Sequence, residues 1–169
     1  MSRALACVFF LSGSAALLFE SLWFRQTSLA FGSSAWASSL VLSSFMAGLA
    51  LGNAGAARFG NRVRNPVRMY AILEIVVGAL GVGLVWLLPK LGPLLAPLFG
   101  PLLETSALVA PMRFAFGFVC LLGPAAAMGA TLPLLVRALS RGSEDFGSTL
   151  GALYGWNTFG AVLGAVIGE

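Results

Sequence analysis

From Gln26 to Ala57 the chain runs for 32 residues without a charged side chain, and from Phe114 to Val136 it does so for another 23. Such stretches must either be buried on every side or face an apolar solvent. The 169 residues are 59% hydrophobic and 9% charged, so too few polar side chains exist to wrap an apolar core of that size. The solvent is therefore read as lipid and the fold as an all-α integral membrane protein, a polytopic bundle of transmembrane helices.

Five segments reach the roughly 20 residues that cross about 30 Å of hydrocarbon. They cover approximately residues 4–24, 34–56, 67–88, 112–138 and 149–168, forming a single transmembrane module over 1–169. The first has some marks of a signal peptide: Arg3, an apolar run, and small residues from Ser12 to Ala16. Its apolar character resumes through Phe19 to Trp23 with no polar cleavage region, so it is read as a first span. Pro124 and Pro133 interrupt the fourth segment. Each removes a backbone donor and bends a helix, so one kinked helix is expected there, with a broken helix as the alternative. Prolines 89, 93, 97 and 101 recur every fourth residue between the third and fourth spans. Carbonyls orphaned at that rate would be costly in hydrocarbon, so residues 89–106 are expected to lie flat at the interface as short helical turns.

The basic residues orient the bundle. With the N-terminus inside, the inner ends collect Arg3, Arg58, Arg62, Arg64, Arg68, Arg137 and Arg141, and the outer ends hold Arg25, Lys90 and Arg113. Seven against three puts the N-terminus and the 57–66 loop in the cytoplasm and the C-terminus outside. The net charge of +4 is explained by this asymmetry, and with no basic–aromatic stripe a nucleic-acid partner is not expected.

Glycines mark the helix faces expected to pack. Gly48 and Gly52 form a GxxxG pair on the second span; Gly151/Gly155, Gly160/Gly164 and Gly164/Gly168 do so on the fifth. Residues four apart share a face, and glycine there lets backbones approach where lipid gives no hydrophobic drive for association. Packing within the bundle is preferred over homodimerisation. Gly78, Ala79, Gly81 and Gly83 should make the third span similarly slim.

Charges inside spans are expensive and are usually paired or functional. Glu20, Arg25 and Arg113 share the outer layer, and Glu20 with Arg113 reads as a structural ion pair. Glu74 shares the inner layer with Asn157, Tyr154 and Asn53 and has no cationic partner at its depth. Cation or proton binding and a plain hydrogen-bonded network both remain open for it. No catalytic constellation is visible: the chain has no histidine, no G-x-S-x-G and no phosphate-binding loop. Cys7 and Cys120 both fall in apolar segments and read as packing residues, so neither a metal nor a cofactor is expected.

Four blocks carry a family resemblance: "ALLFESLWFR" (16–25), "FMAGLALGNAGAARFGNRVRNPVRMYAILEIVVG" (45–78), "MGATLPLLVRAL" (128–139) and "GALYGWNTFGAVLGA" (151–165). In this order they resemble the membrane part of bacterial spermidine synthase-like membrane proteins, also described as fused major-facilitator/spermidine synthase proteins. The resemblance implies a bacterial inner-membrane protein whose larger relatives add a soluble aminopropyltransferase-like domain. No Rossmann-type glycine fingerprint occurs in this chain, so it reads as a stand-alone or truncated N-terminal module with no catalytic residue of its own. Major-facilitator transporters place a G-x-x-x-D-R-x-G-R-R-like motif after their second helix. Here the loop is "GAARFGNRVRN", with Asn61 where the acid belongs and Arg58, Arg62 and Arg64 around it. Five spans also fall short of the six helices of a half-transporter, so the bundle resembles only part of one.

Two functions follow. One is a binding or scaffolding subunit that docks against other membrane subunits or a missing C-terminal part. The other, implied by the resemblance, is the membrane part of an aminopropyltransferase-like protein or of a transporter for small cationic metabolites such as polyamines.

Overall fold

A computed structural model of the chain describes residues 3–31, 34–90, 93–94, 106–139 and 146–169, and every described element is helical. Five long helices follow one another: α1 (Arg3–Phe31), α2 (Ser34–Phe59), α3 (Pro66–Leu87), α4 (Ser106–Leu139) and α5 (Phe146–Gly168). All five are long and apolar enough to cross a membrane. Their inside-out character is consistent with that: only 17–33% of each span's most apolar window is buried within the molecule, although these windows hold almost no charge. Leu11, Ile75, Trp86, Phe159 and Val166 all point outward.

The prolines act as their positions dictate. Pro66 opens α3 at its first turn, where no amide donor is missed, and the Asn65 side chain caps the same end by accepting from the Arg68 amide at 3.0 Å. Helix α4 runs without a break through Pro111, Pro124 and Pro133, as one helix rather than two. Of the 89–106 segment expected to lie flat, Pro89 and Lys90 belong to a short 3-10 turn (Leu88–Lys90), and most of the remainder lies outside the described residues.

Two helix pairs dominate the packing, α2 with α4 and α1 with α5, and α3 leans on α4 and α1. Both dominant pairs are parallel. Gly48 meets Ala125 and Gly52 meets Ala126 and Ala130, while Gly160 meets Phe10 and Gly164 meets Ser14. The α2–α4 pair is separated in sequence by α3, and the α1–α5 pair by α2, α3 and α4. One apolar cluster joins α1 through α4 around Trp23, Leu40, Phe45, Leu84 and Leu121. A second, nearer the start of α1, joins Phe9, Tyr70, Leu135 and Leu153.

At these crossings the glycines are consumed inside the bundle. A Cβ on Gly48, Gly52, Gly129, Gly13, Gly160 or Gly164 would run into the backbone of the opposing helix. Gly151 and Gly155, expected to pack in the same way, meet nothing within 4 Å among the described residues. The reason is helical phase. Five residues separate Gly155 from Gly160, a rotation of about 140° at 3.6 residues per turn, which turns the earlier pair off the face that meets α1. That face is instead continued by the buried Leu153 and by Asn157. On α3 only Gly81 is in contact, lying against the Phe19 ring; Gly78 and Gly83 are open, so slimness there serves one position.

Candidate functional site

Residues of α1, α2, α4 and α5 line a partly open cavity of about 330 Å³. Its apolar wall includes Phe9, Leu17, Phe45 and Leu132, and polar groups reach it from all four helices: Ser12, Asn53, Thr131, Tyr154 and Asn157. Such a mix of apolar wall and few polar groups is what a small-solute site presents.

Glu74 stands behind this wall. The Ser12 hydroxyl, which lines the cavity, donates to Glu74 Oε1 at 2.8 Å and so ties α1 to α3. Tyr70, one turn before Glu74, brings a buried hydroxyl next to Glu74 and Ser12 without a hydrogen bond of regular geometry. Its ring stacks on Phe9 with centroids 6.0 Å apart, which fixes the α1–α3 approach at this depth. Asn157 turns to α1 rather than to Glu74: its Nδ2 donates to the Phe9 carbonyl at 3.2 Å. Next to it the Ser14 hydroxyl lies 2.9 Å from the Gly160 carbonyl and 3.0 Å from that of Phe10. Helix α1 is therefore stapled by polar contacts to α3 on one side and to α5 on the other.

These commitments give the cavity a bias. A hydroxyl has one proton to give, and Ser12 gives it to Glu74, leaving its lone pairs. Asn157 has one amide hydrogen engaged with Phe9, and Thr131 donates at 2.7 Å to the Met128 carbonyl. Gly129 and Pro133, four residues apart on α4, both line the cavity. Pro133 has no amide proton, so the Gly129 carbonyl lacks the helical bond its position would otherwise receive. Asn53, Asn157 and Tyr154 keep donors, but the oxygens of Ser12, Thr131 and Gly129 can only accept, so acceptors outnumber donors among the groups left over.

The other residues singled out in the sequence fall elsewhere. Glu20 borders a separate groove between α1 and α2 of about 300 Å³, together with Ser21 and Ser38, and Arg25 is exposed further along α1. The Arg113 side chain, expected to pair with Glu20, lies outside the described residues. Near the same end as Glu20, Trp23 is fully buried and donates its indole N–H to the Gly81 carbonyl at 3.3 Å. At the opposite end, Asn61 accepts a hydrogen bond from Arg137 of α4, so the turn after α2 is tied to the end of α4. Arg58, Arg62, Arg64 and Arg68 are exposed around that turn.

Ser12, Gly13 and Ser14 are the residues that sequence reading undervalued. Their smallness serves close packing of α1 against α5. Among the described residues no group of His, Cys, Asp and Glu could hold a metal ion. No family model, curated protein or solved structure matches the chain.

Proposed function

We propose that the chain is a membrane-embedded helical module that acts as a binding subunit. It holds a small solute rich in hydrogen-bond donors between its helix pairs and leaves bond-making chemistry to another domain or chain. The acceptor bias of the cavity, with Ser12 committed to Glu74, is the observation that carries this reading. The module sits in the inner membrane of a bacterium with the Asn61 turn in the cytoplasm. This orientation is supported by five described arginines at that end (Arg58, Arg62, Arg64, Arg68 and Arg137) against Arg25 and Lys90 at the other.

Glu74 favours a more specific reading, in which the solute is cationic. A carboxylate one hydrogen bond behind the wall attracts an ammonium group, and in a low-dielectric interior that attraction acts over several ångströms. A polyamine would suit such a site, in keeping with the spermidine synthase-like resemblance of the four sequence blocks. The scaffolding reading is left with Gly151 and Gly155, the one GxxxG pair named above that no described helix covers.

Thermal unfolding of the purified chain in nanodiscs, titrated with spermidine and separately with uncharged glycerol, tests the proposal. A saturable rise in Tm with spermidine alone, lost in Glu74→Gln, supports the cationic reading. A flat response to spermidine overturns it, and a rise that survives Glu74→Gln removes Glu74 from the site.

A further inference from the structure

The sequence contains no carboxylate between Glu20 and Glu74, yet four arginines of that stretch crowd one corner of the bundle. Arg58 lies in the last turn of α2, Arg62 in the 3-10 turn (Gly60–Arg62), Arg64 in the connector and Arg68 in the first turn of α3. All four are exposed, and no acidic residue occupies the first turn of α3. The described carboxylates are elsewhere: Glu74 accepts from Ser12, Glu20 is near the far end of α1, and Glu169 follows the end of α5.

Phe59 makes the corner more than a charged edge. Its ring is half-exposed, and the guanidinium carbons of Arg58 and Arg62 lie 5.9 and 5.6 Å from its centroid. Two like charges gathered on one ring repel each other, and a shared anion turns that repulsion into attraction. The corner also sits where the apolar window of α2 ends at Arg62 and that of α3 begins at Pro66. Val67, Met69 and Ile72 are exposed on α3 just beyond it.

From this arrangement we infer a binding site for an anionic phospholipid of the leaflet at this end. Its phosphate rests on Arg58 and Arg62, and its acyl chains follow the exposed apolar surface of α2 and α3. A basic corner at the end of an apolar surface matches a molecule that is anionic at one end and apolar at the other; a free phosphate would make no use of the apolar part.

Native mass spectrometry of the full chain, released from nanodiscs of phosphatidylcholine mixed with phosphatidylglycerol, reads the site directly. Phosphatidylglycerol should be retained in preference to phosphatidylcholine. Removing two arginines by Arg58→Gln with Arg62→Gln should weaken its binding about thirtyfold. The same loss of charge at the opposite end, Arg25→Gln with Lys90→Gln, should leave retention unchanged. Phe59→Ala keeps every charge and should still lower retention, because the ring that gathers the guanidiniums is gone. Circular dichroism confirms that each variant remains helical. Equal retention of the two lipids overturns the site, as does equal loss in both double variants. If inorganic phosphate displaces phosphatidylglycerol at millimolar concentration, the corner is a phosphate site and the lipid assignment is wrong.

Discussion

Ser12 and Glu74 form a contact that joins two helices through one hydroxyl proton. A hydrogen bond to a charged group contributes about 1.5–3 kcal/mol, and a carboxylate left without its donor loses that much. Ser12→Ala should therefore lower the unfolding free energy by about 1.5–3 kcal/mol. Glu74→Gln should cost less than about 1 kcal/mol, because the amide oxygen still accepts from Ser12. Denaturation of both variants in the same detergent checks this; equal losses would mean that the charge, and not the bond, holds α1 to α3. Glu74 was legible in the sequence because a carboxylate inside an apolar run demands an explanation. Ser12 was not, because a serine in such a helix usually bonds back to its own backbone, as Ser44 does to the Leu40 carbonyl at 2.6 Å. Nothing in the spacing of 62 residues between the two announces that they meet.

Among the helices, α2 with α4 and α1 with α5 pack backbone to backbone, so the glycines at their crossings have no room for a side chain. Gly52→Leu and Gly160→Leu should each cost at least about 1–3 kcal/mol, the range for overpacking a tight interior. Gly155→Leu should be nearly neutral, since open space surrounds it. Thermal melts with size-exclusion profiles separate these outcomes, and a Gly155→Leu chain as damaged as Gly52→Leu would contradict the assigned faces. Sequence spacing revealed Gly48/Gly52 and Gly160/Gly164 because a GxxxG pair states its own face. It could not rank Gly151/Gly155, whose phase matters only once Leu153 and Asn157 fix which side of α5 meets α1. Gly13 and Gly129 stayed hidden because each is a lone glycine, made necessary by a partner on another helix.

At the scale of the whole molecule, five helices long and apolar enough to cross a membrane turn many bulky apolar side chains outward, among them Ile75, Trp86 and Phe159, as a bundle dissolved in lipid would. The number of long helices and their apolar character were legible from composition and run length alone. The pairing of non-consecutive, parallel helices was not, because it depends on which small-residue faces match across the bundle. Cysteines at Asn61 and Lys90 should label from opposite sides of the membrane, Asn61 from the cytoplasm; the reverse would invert the topology. The central claim, a hydrated cavity between helices that lie in lipid, is tested most directly by placing a cysteine at Ala16, on the cavity wall, and another at Val162, on the outer face of α5. With Cys7 and Cys120 replaced by serine, a small water-soluble thiosulfonate reagent should modify Ala16→Cys in intact membranes and leave Val162→Cys untouched. Protection of both positions would show that no hydrated cavity exists, and equal labelling of both would show that the outer face of α5 is not in lipid.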